Sequence, residues 1–187
     1  MKLNYNYLQQ EFANPNEIIK EWRKLIKSTD FTLGKYVKTF ESSFSNFIGS
    51  KYCISTNNGT DALILCLKAL NVGPGDEVIT VVNTFYATVG AIEAVGAIPV
   101  FCDCDERYQI EIDDIKKKIT KKTKVIMPVH WGGASPNMYE IMKIAKLNNL
   151  KVVEDACMGI GASLKGKSPG TFGDISAFSF HPLKSLN

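Results

Sequence analysis

The sequence predicts an α/β fold in which helices flank a mostly parallel sheet. From residue 51 onward, short β-branched and apolar runs alternate with longer segments of helical periodicity, which is typical of βαβ units. The 187 residues, 45% hydrophobic and 22% charged, are an ordinary size and composition for one folded domain. The sequence contains no internal repeat or linker, so we expect a single domain over 1–187, with a helical segment over 1–50 and the sheet core over 51–187.

Charge, cysteine content and hydropathy argue against several classes of function. The formal net charge is only +3 and most lysines are scattered, so nucleic acid is not an expected partner. The five cysteines form no C-x-x-C pair and only two histidines are present, so we expect no metal site and reduced thiols in a cytoplasmic protein. Neither a signal peptide nor a membrane span is indicated, and we expect no membrane partner.

Two amphipathic helices are predicted in the N-terminal segment. The run from Asn14 to Glu17 has the pattern of an N-cap, a proline at the first helical position and an acidic residue. Apolar residues at helical spacing follow it. A second helix is predicted from Tyr36, and Gly49 is expected to end it.

Six strands are predicted, with helical segments between them. The strands are K-Y-C-I-S-T (51–56), E-V-I-T-V-V (77–82), I-P-V-F-C-D (98–103), K-V-I-M-P-V (124–129), K-V-V-E-D (151–155) and I-S-A-F-S-F (175–180). The helices lie near 60–70, 84–95, 111–119 and 137–148. Because ligands of open parallel sheets bind beyond the carboxyl ends of the strands, functional residues are expected at the strand-to-helix junctions.

The first junction, N-N-G-T-D-A-L (57–63), has the pattern of an anion-binding helix start. Unpaired backbone N–H groups, the positive helix end and the Thr60 hydroxyl could converge on one phosphate. An ordinary capped helix would have the same pattern, so both interpretations stay open here. The segment lacks the glycines of G-x-G-x-x-G, which argues against a nicotinamide-dependent oxidoreductase.

Two later junctions place an aromatic ring and a carboxylate at the same sheet edge. Phe85 and Tyr86 begin a helix, where an aromatic ring could stack on a flat ligand, although a core position is the commoner role. Asp155 ends an apolar strand and must find a partner if it is buried. A protonated ring nitrogen of a cofactor would be such a partner, and so would a helix cap.

The last predicted strand is followed by a short turn that contains a lysine. The segment S-F-H-P-L-K places Ser179, His181 and Lys184 around Pro182. A single lysine is usually only solvated. The candidate phosphate, ring and carboxylate positions precede Lys184 at successive strand ends, and this coincidence makes it a candidate catalytic residue.

In this order, the motifs resemble those of the DegT/StrS group of sugar-nucleotide aminotransferases, which are fold-type I pyridoxal 5'-phosphate (PLP) enzymes. The resemblance begins at F-T-L-G-K-Y-V-K-T-F-E (31–41) and includes N-G-T-D-A-L, N-T-F-Y-A-T and V-V-E-D-A. It ends at G-T-F-G-D-I-S-A-F-S-F-H-P-L-K and therefore covers nearly the whole chain from residue 31. The fold that it implies is a PLP-transferase fold-type I large domain.

The resemblance also implies roles for individual residues. Phe85 would stack on the cofactor ring and Asp155 would pair with the ring nitrogen, while Lys184 would bind the cofactor covalently and then act as general base. Met158 stands where relatives commonly carry Gln or Glu, and a thioether is a weak acceptor and no donor. The residues implied in holding the cofactor phosphate are Gly59, Thr60, Asp61 and Ser179.

The activity implied by the resemblance is transfer of an amino group, with glutamate as the expected donor. The acceptor would be the keto group of a nucleotide-linked deoxysugar, made for surface polysaccharide or amino-sugar biosynthesis. Relatives work as homodimers, and dehydratases of the family carry histidine in place of the lysine, so Lys184 favours the transaminase branch. The segment H-W-G-G-A replaces the usual H-L-Y-G-Q, which leaves the particular sugar open.

Relatives continue past the lysine with a glycine-rich turn, a further strand and a small C-terminal domain. We therefore expect a large domain that is truncated after Lys184, with the small domain absent. The alternative hypothesis is a non-catalytic truncated remnant that still binds cofactor or a partner chain.

Overall fold

The structure is a computed structural model that describes residues 6–186. Residues 1–5 and 187, which belong to the predicted domain 1–187, lie outside the described residues. The chain divides into two compact units, Met1–Ser55 and Thr56–Asn187. In the part that the structure describes, no helix is long and apolar enough to cross a membrane.

The first unit contains the two predicted amphipathic helices. Its helices are α1 (Leu8–Glu11), α2 (Asn16–Ser28) and α3 (Lys35–Ile48). Pro15 is the N-cap of α2 rather than its first helical residue, so the helix begins one position later than predicted. Gly49 ends α3 in the left-handed conformation, with φ of 79°, which glycine adopts without steric cost.

The predicted strand over 51–56 is absent, and this prediction was wrong. Tyr52 and Ile54 are 73% and 81% exposed, so the apolar pattern of the run does not correspond to a buried face. The Ser55 N–H donates to Glu41 Oε1 at 2.7 Å instead of pairing with a strand. Backbone groups that are satisfied by a side chain do not need a sheet ladder.

The second unit is built on a five-stranded sheet in which every pairing is parallel. The strands are β1 (Glu77–Val81), β2 (Ile98–Cys102), β3 (Thr123–Met127), β4 (Lys151–Asp155) and β5 (Ile175–Ala177), in the order β2-β1-β3-β4-β5. The helices are α4 (Gly59–Ala69), α5 (Tyr86–Ala94), α6 (Ile112–Lys118) and α7 (Met138–Leu147). This architecture confirms the predicted α/β class and the four predicted helices.

Helices cover both faces of the sheet because strand residues alternate between them. Val78 packs in one buried cluster with Leu63 of α4 and Ile92 of α5. The neighbouring residue Ile79 packs in the opposite cluster, together with Ile141 of α7. The strands are therefore buried on both sides, and their carboxyl ends form one edge from which the candidate residues emerge.

Candidate active site

The helix start after residue 56 is an intact capped N-terminus. The Asn58 side chain accepts a hydrogen bond from the Asp61 N–H at 2.8 Å. The first backbone bond of the helix runs from the Ala62 N–H to the Asn58 carbonyl, so the amides of Gly59 and Thr60 precede the intrahelical ladder. Both residues are half-buried, and their amides are available to an anion at the positive end of the helix.

The Asp61 carboxylate is occupied within the same loop. Its Oδ2 accepts from Asn57 Nδ2 at 3.2 Å and from Asn58 Nδ2 at 3.0 Å. These bonds hold the loop that shapes the helix start. The structure therefore shows Asp61 as a residue that organises the loop before α4.

The backbone of Gly59 lies directly against the turn after β5. A Cβ atom added at Gly59 would stand 3.1 Å from Ser179 Cβ and 3.2 Å from Cys157 Sγ. A side chain at this position would require Ser179 or Cys157 to move by a few tenths of an ångström. The contact brings Gly59 and Ser179 together, although 120 positions of sequence separate the two residues. Two residues that were predicted to share one phosphate are thus neighbours.

Asp155 is buried at the end of β4 and accepts hydrogen bonds only from neutral groups. The Thr88 hydroxyl donates to Oδ2 at 2.7 Å, and the Cys157 N–H donates to Oδ1 at 3.2 Å. The residue is 5% exposed, and within residues 6–186 no cationic side chain forms an ion pair with it. A buried carboxylate without a cation is costly, so this group is suited to a positively charged ligand.

An aromatic ring stands at the start of α5, in the same turn as the hydroxyl that binds this carboxylate. Phe85 is the N-cap residue of α5 and is 54% exposed. Its carbonyl accepts from the Thr88 N–H at 3.1 Å, so the ring and the Asp155-binding hydroxyl belong to one helical turn. Tyr86 lies against Phe85 with a centroid separation of 4.2 Å. The exposed ring of Phe85 is therefore available for stacking on a flat ligand.

Lys184 lies in a tight turn that follows β5. The strand ends at Ala177 rather than at the predicted residue 180. The turn is closed by the Lys184 N–H, which donates to the His181 carbonyl at 2.8 Å, and by the His181 N–H, which donates to Ser179 Oγ at 3.3 Å. A cleft of about 180 Å³ is lined by Gly132, Gly133, Met158, Ile160, Leu183, Lys184 and Ser185. The structure thus places Met158 beside Lys184.

The charge of Asp155 affects two thiols, that of the buried Cys66 and that of the half-buried Cys157. Burial raises the pKa of Cys157, and the negative charge of Asp155 raises it further, while Lys184 acts in the opposite direction. Burial is also the main reason why the pKa of Cys66 is raised to about 12, and Asp155 is the second. Both thiols are therefore protonated near neutral pH and do not compete as nucleophiles.

Glu154, the neighbour of Asp155 on β4, belongs to a separate buried network. Its Oε1 accepts from the Phe172 and Gly173 N–H groups at 2.7 and 2.6 Å. Its Oε2 lies 2.8 Å from both the Gly170 N–H and His130 Nε2. The carboxylate anchors the loop that enters β5, and it holds His130 at the start of the loop that lines the cleft.

Sequence reasoning found the candidate positions but missed the residues that hold them. Thr88, Glu154 and His130 were not singled out, although all three are completely buried. The V-V-E-D and P-V-H patterns gave a signal, because charged or polar residues stood inside apolar runs. Thr88 had only a weak signal, its four-residue spacing from Thr84 at a helix start.

Together, the fold and the site define an α/β protein with a ligand site at the carboxyl edge of a parallel sheet. Its parts are a helix N-terminus, an exposed aromatic ring, a buried carboxylate and a lysine. Residues 13–187 match the DegT/DnrJ/EryC1/StrS aminotransferase family. This chain belongs to that family.

Similar proteins from several bacteria carry sugar-modifying names. The chain is 42% identical over 172 residues to UDP-N-acetyl-3-dehydro-α-D-glucosamine 3-aminotransferase of Acidithiobacillus ferrooxidans, with 91% of this chain and 47% of that protein covered. It is 44% identical over 165 residues to dTDP-3-amino-3,6-dideoxy-α-D-galactopyranose transaminase of Aneurinibacillus thermoaerophilus, with coverages of 88% and 46%.

A solved structure confirms the fold. The crystal structure of NtdA from Bacillus subtilis, with the cofactor PMP bound, superposes with a TM-score of 0.93 at 36% identity. All of this chain and 42% of that chain are covered. The chain spans about half the length of the curated relatives it matches.

Proposed function

We propose that this chain forms the PLP-binding part of an aminotransferase that acts on a nucleotide-linked deoxysugar bearing a keto group, with glutamate as amino donor. The observation that carries the proposal is the buried Asp155, which is bonded only by neutral donors and faces the same sheet edge as Phe85 and Lys184. Membership of an aminotransferase family and the names of the two sugar-modifying relatives support it.

The residues at the site fit this cofactor. The amides of Gly59 and Thr60 and the Ser179 hydroxyl offer donors for a phosphate, because Gly59 and Ser179 are in contact. The exposed Phe85 ring can stack on a pyridine ring, and Asp155 can accept a hydrogen bond from its protonated nitrogen. When bound, the cofactor supplies an electron sink for the carbanion that forms at the substrate carbon.

Lys184 is the proposed catalytic base, with its Nζ accepting a proton from the substrate carbon and returning it to the neighbouring carbon. The Asp155 carboxylate is held in place through this transfer by the hydrogen bonds that its two oxygens accept from the Thr88 hydroxyl and the Cys157 N–H. Met158 lies in the cleft beside Lys184, and its thioether sulfur is only a weak hydrogen-bond acceptor for the lysine amine. We propose that the Lys184 amine is therefore not tied to that side chain.

Further parts of the proposal concern the whole protein. We propose that residues 1–187 act as one PLP-binding large domain, with 1–50 as a helical segment and 51–187 as the sheet core. The whole protein is proposed to work as a homodimer in the cytoplasm. Transfer of an amine to a nucleotide-linked sugar suits amino-sugar or surface polysaccharide biosynthesis.

Reductive trapping tests the cofactor assignment. The full chain is incubated with PLP, reduced with borohydride and digested, and the modified peptide is located by mass spectrometry. The expected adduct lies on Lys184, and Lys184→Arg abolishes it. Lys165→Arg serves as the control, because Lys165 is exposed and lies over the Tyr139 ring. An adduct on any other lysine would contradict the assignment.

The acceptor class is tested with glutamate as donor and release of 2-oxoglutarate as the signal. A keto-deoxysugar linked to a nucleoside diphosphate is compared with the same sugar carrying only one phosphate. The proposal predicts turnover of the nucleotide-linked substrate. If only the sugar monophosphate is turned over, the assignment as an aminotransferase would stand, but the assignment of a nucleotide-linked acceptor would be wrong.

A further inference from the structure

Three polar side chains at the junction of β1, α5 and β4 form a continuous hydrogen-bond chain. The Thr84 and Thr88 hydroxyl oxygens are 2.6 Å apart, and Thr88 Oγ1 lies 2.7 Å from Asp155 Oδ2. Thr88 is completely buried, and Asp155 is 5% exposed. The chain therefore runs from the start of α5 into the buried end of β4.

The chemistry of the carboxylate fixes the direction of this chain. An ionised carboxylate can only accept hydrogen bonds, so the single hydroxyl proton of Thr88 must point to Asp155. Thr88 then has no proton left for Thr84, and the Thr84 hydroxyl must donate to Thr88. Donors aligned in this way strengthen one another and hold the Asp155 carboxylate in one orientation.

The same helical turn positions the candidate stacking ring. Phe85 is the N-cap of α5, and its carbonyl accepts from the Thr88 N–H at 3.1 Å. A shift of this turn would therefore move Phe85 and the Thr88 hydroxyl together. The candidate stacking ring and the hydroxyl that binds Asp155 are therefore coupled through one turn of α5.

A buried threonine hydroxyl can also have a purely structural role, which is the main alternative to a positioning role for Thr88. Thr80 is an example of such a structural threonine. Thr80 of β1 is also completely buried, and its hydroxyl donates to the Met127 carbonyl at 2.9 Å within the sheet. That bond satisfies a backbone acceptor. The Thr88 hydroxyl instead donates to the Asp155 carboxylate, whose other donor is the neutral Cys157 N–H. Such a carboxylate can still accept a bond from a positively charged ligand.

We propose that Thr88 is the positioning residue that orients Asp155 toward the cofactor ring nitrogen, with Thr84 orienting Thr88. This inference rests on the proposed function, because it assigns the carboxylate a cofactor to hold. In this proposal Thr88 acts on the cofactor only through Asp155.

The test measures equilibrium PLP binding and the carboxyl 13C resonance of Asp155 in the full chain. Thr88→Val is expected to raise the cofactor dissociation constant about tenfold to hundredfold, because a hydrogen bond to a charged group is lost. Thr88→Ser keeps the hydroxyl and is expected to restore binding. Thr84→Val is expected to weaken binding by about threefold, because a neutral hydrogen bond is lost.

Thr80→Val is the matched control, because it removes a buried threonine hydroxyl away from Asp155. It is expected to lower thermal stability without moving the Asp155 13C resonance or the dissociation constant. In the cofactor-free chain, Thr88→Val is expected to shift that resonance. If Thr88→Val does not fold, Thr84→Val and Thr88→Ser still carry the binding test.

Two results separate this inference from the proposed function. Unchanged binding and an unshifted Asp155 resonance in Thr88→Val would overturn the positioning role while PLP binding by the unaltered chain upholds the function. Failure of the unaltered chain to bind PLP would refute the proposed function and, with it, the cofactor-directed role of Thr88. A resonance shift in the cofactor-free Thr88→Val chain would even then confirm the hydrogen bond itself.

Discussion

Glu154 and Asp155 are consecutive residues at the end of β4, but their surroundings differ. Successive side chains of a strand point to opposite faces of the sheet. Glu154 is completely buried, and four donor groups surround its two oxygens. Asp155 accepts a hydrogen bond from the Thr88 hydroxyl on one oxygen and from the Cys157 N–H on the other, and it is slightly exposed.

The difference shows how hydrogen-bond saturation separates a structural carboxylate from a candidate functional one. A carboxylate has about four lone-pair sites. Those of Glu154 are filled by the loop that enters β5 and by His130, so no acceptor capacity is left for a ligand. Asp155 keeps free acceptor capacity at the sheet edge where the other candidate residues lie.

The largest expected effect is the loss of stability in Glu154→Gln. An amide has a single acceptor oxygen, so its NH₂ group would face backbone N–H donors of the Gly170–Gly173 loop. Breaking a buried charged network of this kind costs about 3 to 5 kcal/mol, which corresponds to a drop in melting temperature of roughly 10 °C. Calorimetry of the cofactor-free chain measures the change.

Asp113→Asn is a suitable control, because the Asp113 side chain is 74% exposed and pairs with the exposed Lys116 at 2.8 Å. Its effect is expected to stay below about 1 kcal/mol, since exposed ion pairs contribute little. A Glu154→Gln chain as stable as the unaltered one would show that saturation does not identify a structural carboxylate.

The second effect is on activity and is expected in Asp155→Asn. The variant is nearly isosteric and should retain the fold, but a neutral amide cannot hold a ring nitrogen in its protonated form. We expect a loss of about 3 kcal/mol of transition-state stabilisation, on the order of a hundredfold in kcat. Steady-state kinetics of the whole protein, together with its melting temperature, measure both consequences.

The comparison predicts that the two variants have opposite profiles, with stability lost in Glu154→Gln and turnover lost in Asp155→Asn. Unchanged turnover in Asp155→Asn would remove this carboxylate from the mechanism. A large loss of stability in the same variant would instead assign Asp155 the structural role of its neighbour.

The smallest expected effect is on the reactivity of Cys157. The charge of Asp155 contributes to the raised pKa of this thiol, although burial is the larger cause. In Asp155→Asn the pKa of Cys157 falls, the thiolate fraction at pH 9 rises, and alkylation accelerates by at least about twofold. Iodoacetamide labelling of the cofactor-free chain, followed by mass spectrometry, measures this rate.

Cys104 provides an internal reference in the same experiment, because it is also half-buried and belongs to the segment after β2. Its rate should not change in the variant. Equal acceleration at Cys104 and Cys157 would indicate a general loosening of the fold, and it would contradict an electrostatic effect of Asp155.

Much of the fold follows from local pattern. The run K-V-V-E-D coincides with β4, because a buried parallel strand needs a continuous apolar segment whatever its neighbours are. The run K-Y-C-I-S-T has similar composition but forms no strand. Whether such a segment is buried depends on residues distant in sequence, and Tyr52 and Ile54 are exposed.

The positions of the candidate site residues were predictable from the sequence, but the hydrogen bonds that hold them were not. Gly59, Asp155 and Lys184 stand at junctions that sequence alone identifies, and the family resemblance suggested their roles. The bond from Thr88 to Asp155 joins residues 67 positions apart. It depends on how α5 packs beside β4, and no periodicity in the sequence encodes that packing. The roles of the predicted site residues stay predictions until the variants are measured.

The alternation of Glu154 and Asp155 makes β4 unusually sensitive to insertions and deletions. The strand pairs in fixed register, with Glu154 opposite Ser176 and Asp155 opposite Ala177. Removal of one residue from the middle of the strand would reverse the faces of all residues on one side of the gap. The longer glutamate would then point to the ligand edge and the aspartate to the β5 loop, so point substitutions in β4 should be far better tolerated than changes in its length.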